Sequence, residues 1–221
     1  MITLIAALTL LLFTSGIVFG NAFTLQAENG KILTPAGIGF ELNGSYSTPD
    51  LSNQTTSTLY DAQLSYGIRP NITIAGEFTG DFKNGSNHQS VIKALFSPTR
   101  EGNGYTLYAD YDLNQSKVPL YGISLWADSK FLYTFANLEA RNDSQPKSTS
   151  LFVTPGVNLK IGSRIELGGE VELKAEDWSS QELRVGINYN LNSKVTGKFT
   201  FKTGLDNNPE RTYQTGFAVE I

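Results

Sequence analysis

From Gly37 to the carboxyl terminus, apolar and polar side chains alternate one by one, in runs that break at clusters of Gly, Asn, Ser, Asp and Pro. In one run Leu183, Val185, Ile187, Tyr189 and Leu191 alternate with Glu182, Arg184, Gly186, Asn188 and Asn190. Another sets Ile165, Leu167, Gly169, Val171 and Leu173 against Glu166, Gly168, Glu170, Glu172 and Lys174, and a third sets Tyr105, Leu107, Ala109, Tyr111 and Leu113 against Thr106, Tyr108, Asp110 and Asp112. A period of two sends successive side chains to opposite faces of a strand, so each run has one apolar face and one wet face. Helix signals are nearly absent.

The runs come in pairs. YGIRPNITIAGEF, from Tyr66, returns as LKIGSRIELGGEV from Leu159, and less closely as YNLNSKVTGKFTF from Tyr189. The repeated unit is a β-hairpin: strand, tight turn, strand. Polar loops at 48–55, 83–89, 114–119, 142–148, 175–181 and 206–210 alternate with tighter breaks at Arg69-Pro70-Asn71, Ser97 to Gly104, Asp128-Ser129, Gly162-Ser163 and Asn192-Ser193. Six loops and five turns separate twelve strands, which are rich in Ile, Val, Tyr, Phe and Thr.

Charge decides which solvent the apolar face meets. No strand has to put Asp, Glu, Lys or Arg on that face. A Lys or Arg facing lipid at the bilayer midplane costs about 2 to 4 kcal/mol, so lipid would enforce such purity. A soluble sandwich or lipocalin-like barrel also alternates, but points its apolar face inward, and one small core has difficulty enclosing the apolar faces of twelve strands. The expected fold is therefore all-β: a transmembrane antiparallel up-and-down β-barrel of about twelve strands, residues 37–221, each strand long enough to cross when tilted. Within 120–160, Phe131, Tyr133 and Phe135 share the face that Glu139 and Arg141 assign to the lumen, and Pro155 interrupts a strand that has no edge, which predicts a bulge there.

The first 22 residues differ from the rest. A continuous apolar run from Ile2 to about Val18 carries no charge, and Gly20 and Ala22 fit the small positions of a cleavage site. Residues 1–22 read as a secretory signal peptide, with a retained membrane anchor and a misread start codon as the alternatives, and 23–36 as a short periplasmic segment.

The last strand runs to the carboxyl terminus, with Tyr213, Thr215, Phe217, Val219 and Ile221 alternating with Gln214, Gly216, Ala218 and Glu220. In this, and in the architecture from about residue 36 onward, the chain resembles bacterial outer-membrane β-barrels, although it ends on Ile221 where an aromatic is usual. The resemblance implies residence in the bacterial outer membrane, lipid around the barrel, and reading of the closing strand by the barrel-assembly machinery. Tyr46, Tyr60, Tyr66, Phe78, Phe82, Tyr105 and Tyr213, near strand ends, suit interfacial girdles.

The wet faces then line the lumen. Glu41, Asp61, Glu77, Asp81, Asp110 and Asp112 come from the first five strands. Arg164, Glu166, Glu170, Glu172, Arg184, Lys198 and Lys202 come from the later ones, with Lys160, Lys174 and Glu182 beside them. One wall is acidic and the other mixed, which would set a transverse field across any solute between them. Passive diffusion of small polar or charged solutes through a narrow porin-like channel is the leading functional expectation. The competing one is a non-conducting structural or adhesion barrel that acts through loops such as 48–55 and 142–148.

Other chemistry finds little support in the residues. With 17% charged residues and a net charge of -4, there is no basic field to attract nucleic acid. No cysteine and one histidine remove disulfides and the usual transition-metal sets, and no cofactor is expected. The carboxylate pairs Asp110 with Asp112 and Glu170 with Glu172 are hard-cation candidates, read more simply as lumen wall. His88 and Ser90 have the two-residue spacing of outer-membrane lipid hydrolases, with Ser90 in the lipid-facing phase, but the surrounding residues depart from that motif and no group clearly orients the histidine. The chain is expected not to be an enzyme.

Overall fold

The computed structural model describes residues 33–48, 57–81, 89–99, 102–142, 148–205 and 210–221. The expected signal peptide, Phe82, His88 and much of four expected loops lie outside them. Twelve strands form in sequence order: β1 (Ile38–Thr48), β2 (Ser57–Arg69), β3 (Ile72–Asp81), β4 (Gln89–Phe96), β5 (Asn103–Asp112) and β6 (Lys117–Asp128). The second half contributes β7 (Leu132–Asn142), β8 (Thr149–Ile161), β9 (Ile165–Lys174), β10 (Ser180–Asn190), β11 (Val195–Gly204) and β12 (Arg211–Glu220). Each strand pairs antiparallel with its neighbours in the chain. β1 also pairs with β12, from Gly39 opposite Glu220 to Thr48 opposite Arg211, and this closes the barrel. Ile38 and Ile221 exchange N–H···O bonds of 2.9 and 2.7 Å at the seam, so no edge is left open there.

The distribution of side chains is inverted relative to a soluble protein. Among the described residues twenty buried side chains are polar or charged and eleven are apolar, while Leu64, Leu107, Leu125, Val185, Ile187 and Phe199 stand exposed on the outer wall. An apolar exterior of this extent has no favourable contact with water. Among the described residues no helix is long and apolar enough to cross a membrane, and the strands carry the apolar face.

Short polar side chains make the turns. Asp112 Oδ1 accepts the backbone N–H of Asn114 (2.8 Å) and Gln115 (3.0 Å), and Asn192 Oδ1 accepts those of Lys194 and Val195 (2.9 and 3.0 Å). In the exposed loop after β9, the Ser179 hydroxyl and backbone N–H both donate to Asp177 Oδ1 and hold that carboxyl below its ordinary value.

Two local expectations change. The loop expected at 114–119 shrinks to a tight turn, because Lys117, Val118 and Pro119 join β6. The register shifts between Asp110 and Asp112, with Asp110 opposite Leu120 and Asp112 opposite Lys117, so the irregularity sits at Pro119. At Pro155, by contrast, there is no bulge. Pro155 stands opposite Ala136 on β7 in unbroken register, and the ladder to β9 lapses at Thr154 and Pro155 and resumes at Gly156 in the same register. A proline can thus sit in a closed barrel through a gap in one ladder, without an inserted residue.

Candidate functional site

The inner faces of eleven strands meet around a chamber of about 280 Å³. Glu41, Asp61, Glu77, Asp110, Arg184 and Lys198, all expected at the lumen, line it. So do Lys93, Glu139 and Arg141, whose phase in the alternation also points inward. Buried on the same inner wall are Glu166, Glu170 and Glu172. Two expected residues hold other positions. Asp112 is 1% exposed and serves the β5–β6 turn, also accepting from Gln89 Nε2 at 3.3 Å, and Arg164 lies exposed in the turn between β8 and β9. Asp81 ends β3, opposite Leu59 near the loop end.

Two charge networks face each other across the chamber. In the first, Arg184 on β10 stands directly opposite Glu170 on β9, two residues along its own strand from Glu182, and diagonal to Glu172. Its guanidinium therefore reaches three carboxylates: Glu170 at 2.6 Å, Glu172 at 3.3 Å, and Glu182. Glu172 also accepts from Arg141 at 2.6 Å, Arg141 pairs with Glu139 at 2.6 Å, and Lys202 caps the other end on Glu182 at 2.5 Å. The chain of ions runs from β7 to β11. Its guanidinium planes suit bidentate carboxylate pairing, and Arg141 also lies 4.1 Å over the Phe152 ring.

The second network is looser. Lys198 Nζ reaches Glu41 at 2.6 Å, and Lys93 Nζ reaches Glu77 at 2.9 Å. Between them the Asn43 amide donates to Glu41 (2.8 Å) and to Asp61 Oδ2 (3.3 Å), so a neutral group holds two carboxylates side by side.

Towards the short-turn end the lumen fills with rings. Trp126, Tyr133 and Phe135 are buried and cluster together, with ring centroids 6.5 Å apart for Trp126 and Tyr133 and 5.8 Å for Tyr133 and Phe135. Three large rings lie over glycines directly across the strand pair: Trp126 over Gly104, Tyr108 over Gly122, Phe135 over Gly156. A β-carbon on Gly156 would stand 2.1 Å from the Phe135 ring, so only glycine leaves the ring its place. Tyr108 O–H donates to Glu139 at 2.9 Å, which joins the rings to the ion chain. On the opposite wall the segment before β1 crosses the inner faces of β1 to β3, with the Leu33 N–H on Thr73 Oγ1 at 3.0 Å and the Thr34 carbonyl over Gly67.

Twelve antiparallel strands closed on themselves, with an apolar exterior and an ionised interior, agree with solved membrane structures. The chain superposes on a NanC porin with a TM-score of 0.62 at 11% identity, covering 81% of this chain and 98% of that one. A KdgM porin gives 0.59 at 10% identity with the same coverage, and an outer membrane channel from Pseudomonas putida F1 gives 0.54 at 12% identity, covering 90% and 100%. The fold is that of an outer-membrane β-barrel. No family model and no curated protein matches the sequence, so the likeness is one of fold alone.

Within this porin-like barrel, Ser90 faces outward beside Phe78 on β3, and its backbone N–H donates to Asn114 Oδ1 at 3.0 Å. The similar structures named here are porins and a channel. Among the described residues no group of three His, Cys, Asp or Glu is arranged to hold a metal ion.

Proposed function

We propose that the barrel is a narrow porin-like channel for passive diffusion of small polar or charged solutes across the outer membrane. The observation that carries this reading is the chamber: about 280 Å³ lined by charged and polar side chains from ten strands, with Leu120 the one apolar side chain in its wall. A dry interior of this size would be expected to fill with apolar side chains, whereas ionised groups that outnumber their ion pairs call for water. The likeness to NanC and KdgM porins supports it, and one KdgM structure is in complex with disordered oligogalacturonate. The same reading includes export with cleavage after Ala22 and recognition of the closing strand by the assembly machinery.

The buried rings at the turn end favour a second reading, a plugged barrel that acts through its loops. Planar-bilayer recording separates the two. The refolded mature chain is expected to give stable conductance steps. Silence from a barrel that shows heat-modifiable migration would transfer the function to the loops.

A further inference from the structure

We infer that the lumen passes small cations in preference to anions, and that Asp61 sets this preference. The inference rests on the channel reading and deepens it.

The basic groups lining the chamber are all engaged. Arg184 and Arg141 are shared among four carboxylates, and with Lys202 they form a group of three cations and four anions. On the facing wall Lys198 lies against Glu41, and Lys93 lies against Glu77 with Asp110 directly opposite it on β5. Two lysines there serve four lining carboxylates once Asp61 is included. Both walls are therefore in deficit of cations, by three charges together, and the imbalance is greatest beside Asp61.

Asp61 shares the neutral Asn43 amide with Glu41, but Glu41 also meets Lys198, whereas Asp61 has no ion pair. Oδ2 accepts from Asn43, and Oδ1 is buried with no hydrogen-bond partner. Asp61 lines the chamber without an ion pair of its own, so a crossing solute feels its charge where no cation is set against it. No cluster of the described carboxylates is arranged to hold a metal ion, so a passing cation is attracted without being caged. That combination suits conduction, which needs entry to be favourable and exit easy. The field in a water-filled passage with low-dielectric walls concentrates the counter-ion and depletes the co-ion. The expected solutes are inorganic cations and small amines. In this the chain departs from the KdgM porin, whose partner oligogalacturonate is an anion.

The test is the reversal potential of the full mature chain under a KCl gradient, with Asp61→Asn as the variant. Asparagine keeps the shape and can still accept from Asn43, so the wall should be retained, and heat-modifiable migration checks the fold. The wild type is expected to reverse on the potassium side. Asp61→Asn is expected to lower the K⁺ over Cl⁻ permeability ratio at least about twofold. Should the variant fail to fold, the wild type alone decides: its preference is expected to fade as salt rises from 0.1 to 1 M, where the screening length drops from about 10 to about 3 Å. Steps that are unselective or anion-selective overturn the inference and leave the channel reading standing. An unchanged ratio in a folded Asp61→Asn overturns the role of Asp61, and absence of any step overturns the channel reading itself.

Discussion

Replacing Arg184 with alanine is expected to cost the barrel about 3 to 5 kcal/mol, the usual penalty for removing one partner from a buried ion group. The guanidinium is the hub between Glu170, Glu172 and Glu182, and Glu170 lies 2% exposed on the inner wall. Without it three carboxylates remain within reach of one another, and only Arg141 and Lys202 are left to compensate at the two ends. A hydrated lumen would soften the loss, which places the expectation at the lower part of that range. The check is the urea midpoint of folding into lipid vesicles for Arg184→Ala beside Arg184→Lys. Lysine restores charge but not the fork that meets several carboxylates at once, so it should fall between wild type and alanine. A loss below about 1 kcal/mol would mean that the network is solvated like a surface ion pair.

The second large effect lies one residue further along. Val185 follows Arg184 and faces the opposite way, exposed on the outer wall near the middle of β10. Val185→Arg is expected to destabilise by about 2 to 4 kcal/mol, the cost of a cation facing lipid near the bilayer midplane. Arginine is thus required at 184 and excluded at 185. The same vesicle titration reads the result, and a neutral outcome would mean that this face of β10 does not meet hydrocarbon. In a soluble barrel Val185 would be an outer surface position, and arginine there would cost within about 0.5 kcal/mol.

Much of this architecture was legible because alternation constrains both faces at once. The strand from Glu182 to Leu191 assigns every one of its side chains from the pattern alone, and β10 carries them as read. Strand number followed from the turn chemistry, since residues such as Asn192 mark where a chain must reverse, whereas Asp112, expected on the lumen wall, serves a turn instead. The stretch 120–160 was harder for a physical reason. Tyr133 and Phe135 are apolar on the inner face, so the rule that oil faces outward fails there, and the phase could be taken only from Glu139 and Arg141. The glycines opposite the rings were visible as glycines. Their purpose needs the register, which pairs Phe135 with Gly156 across 21 residues of chain. Lys93 lies between Ile92 and Ala94, so the same alternation assigns it to the inner face, where it lines the chamber. Ion pairing was not legible at all. Which carboxylate meets Arg184 depends on a stagger between β9 and β10 that composition does not encode.

If the polar face of the strands lines a water-filled lumen and the apolar face meets lipid, side chains next to each other on one strand must differ in their access to water. Because the chain has no cysteine, a single introduced thiol reports its own surroundings. Gln214 and Thr215 are neighbours on β12, the first lining the chamber and the second on the outer wall. In the vesicle-inserted barrel, Gln214→Cys is expected to react with a small membrane-impermeant thiol reagent, and Thr215→Cys is expected to resist it. Protection at both positions would mean a dry, plugged lumen, and reaction at Thr215→Cys with protection at Gln214→Cys would reverse the faces and contradict the membrane barrel outright.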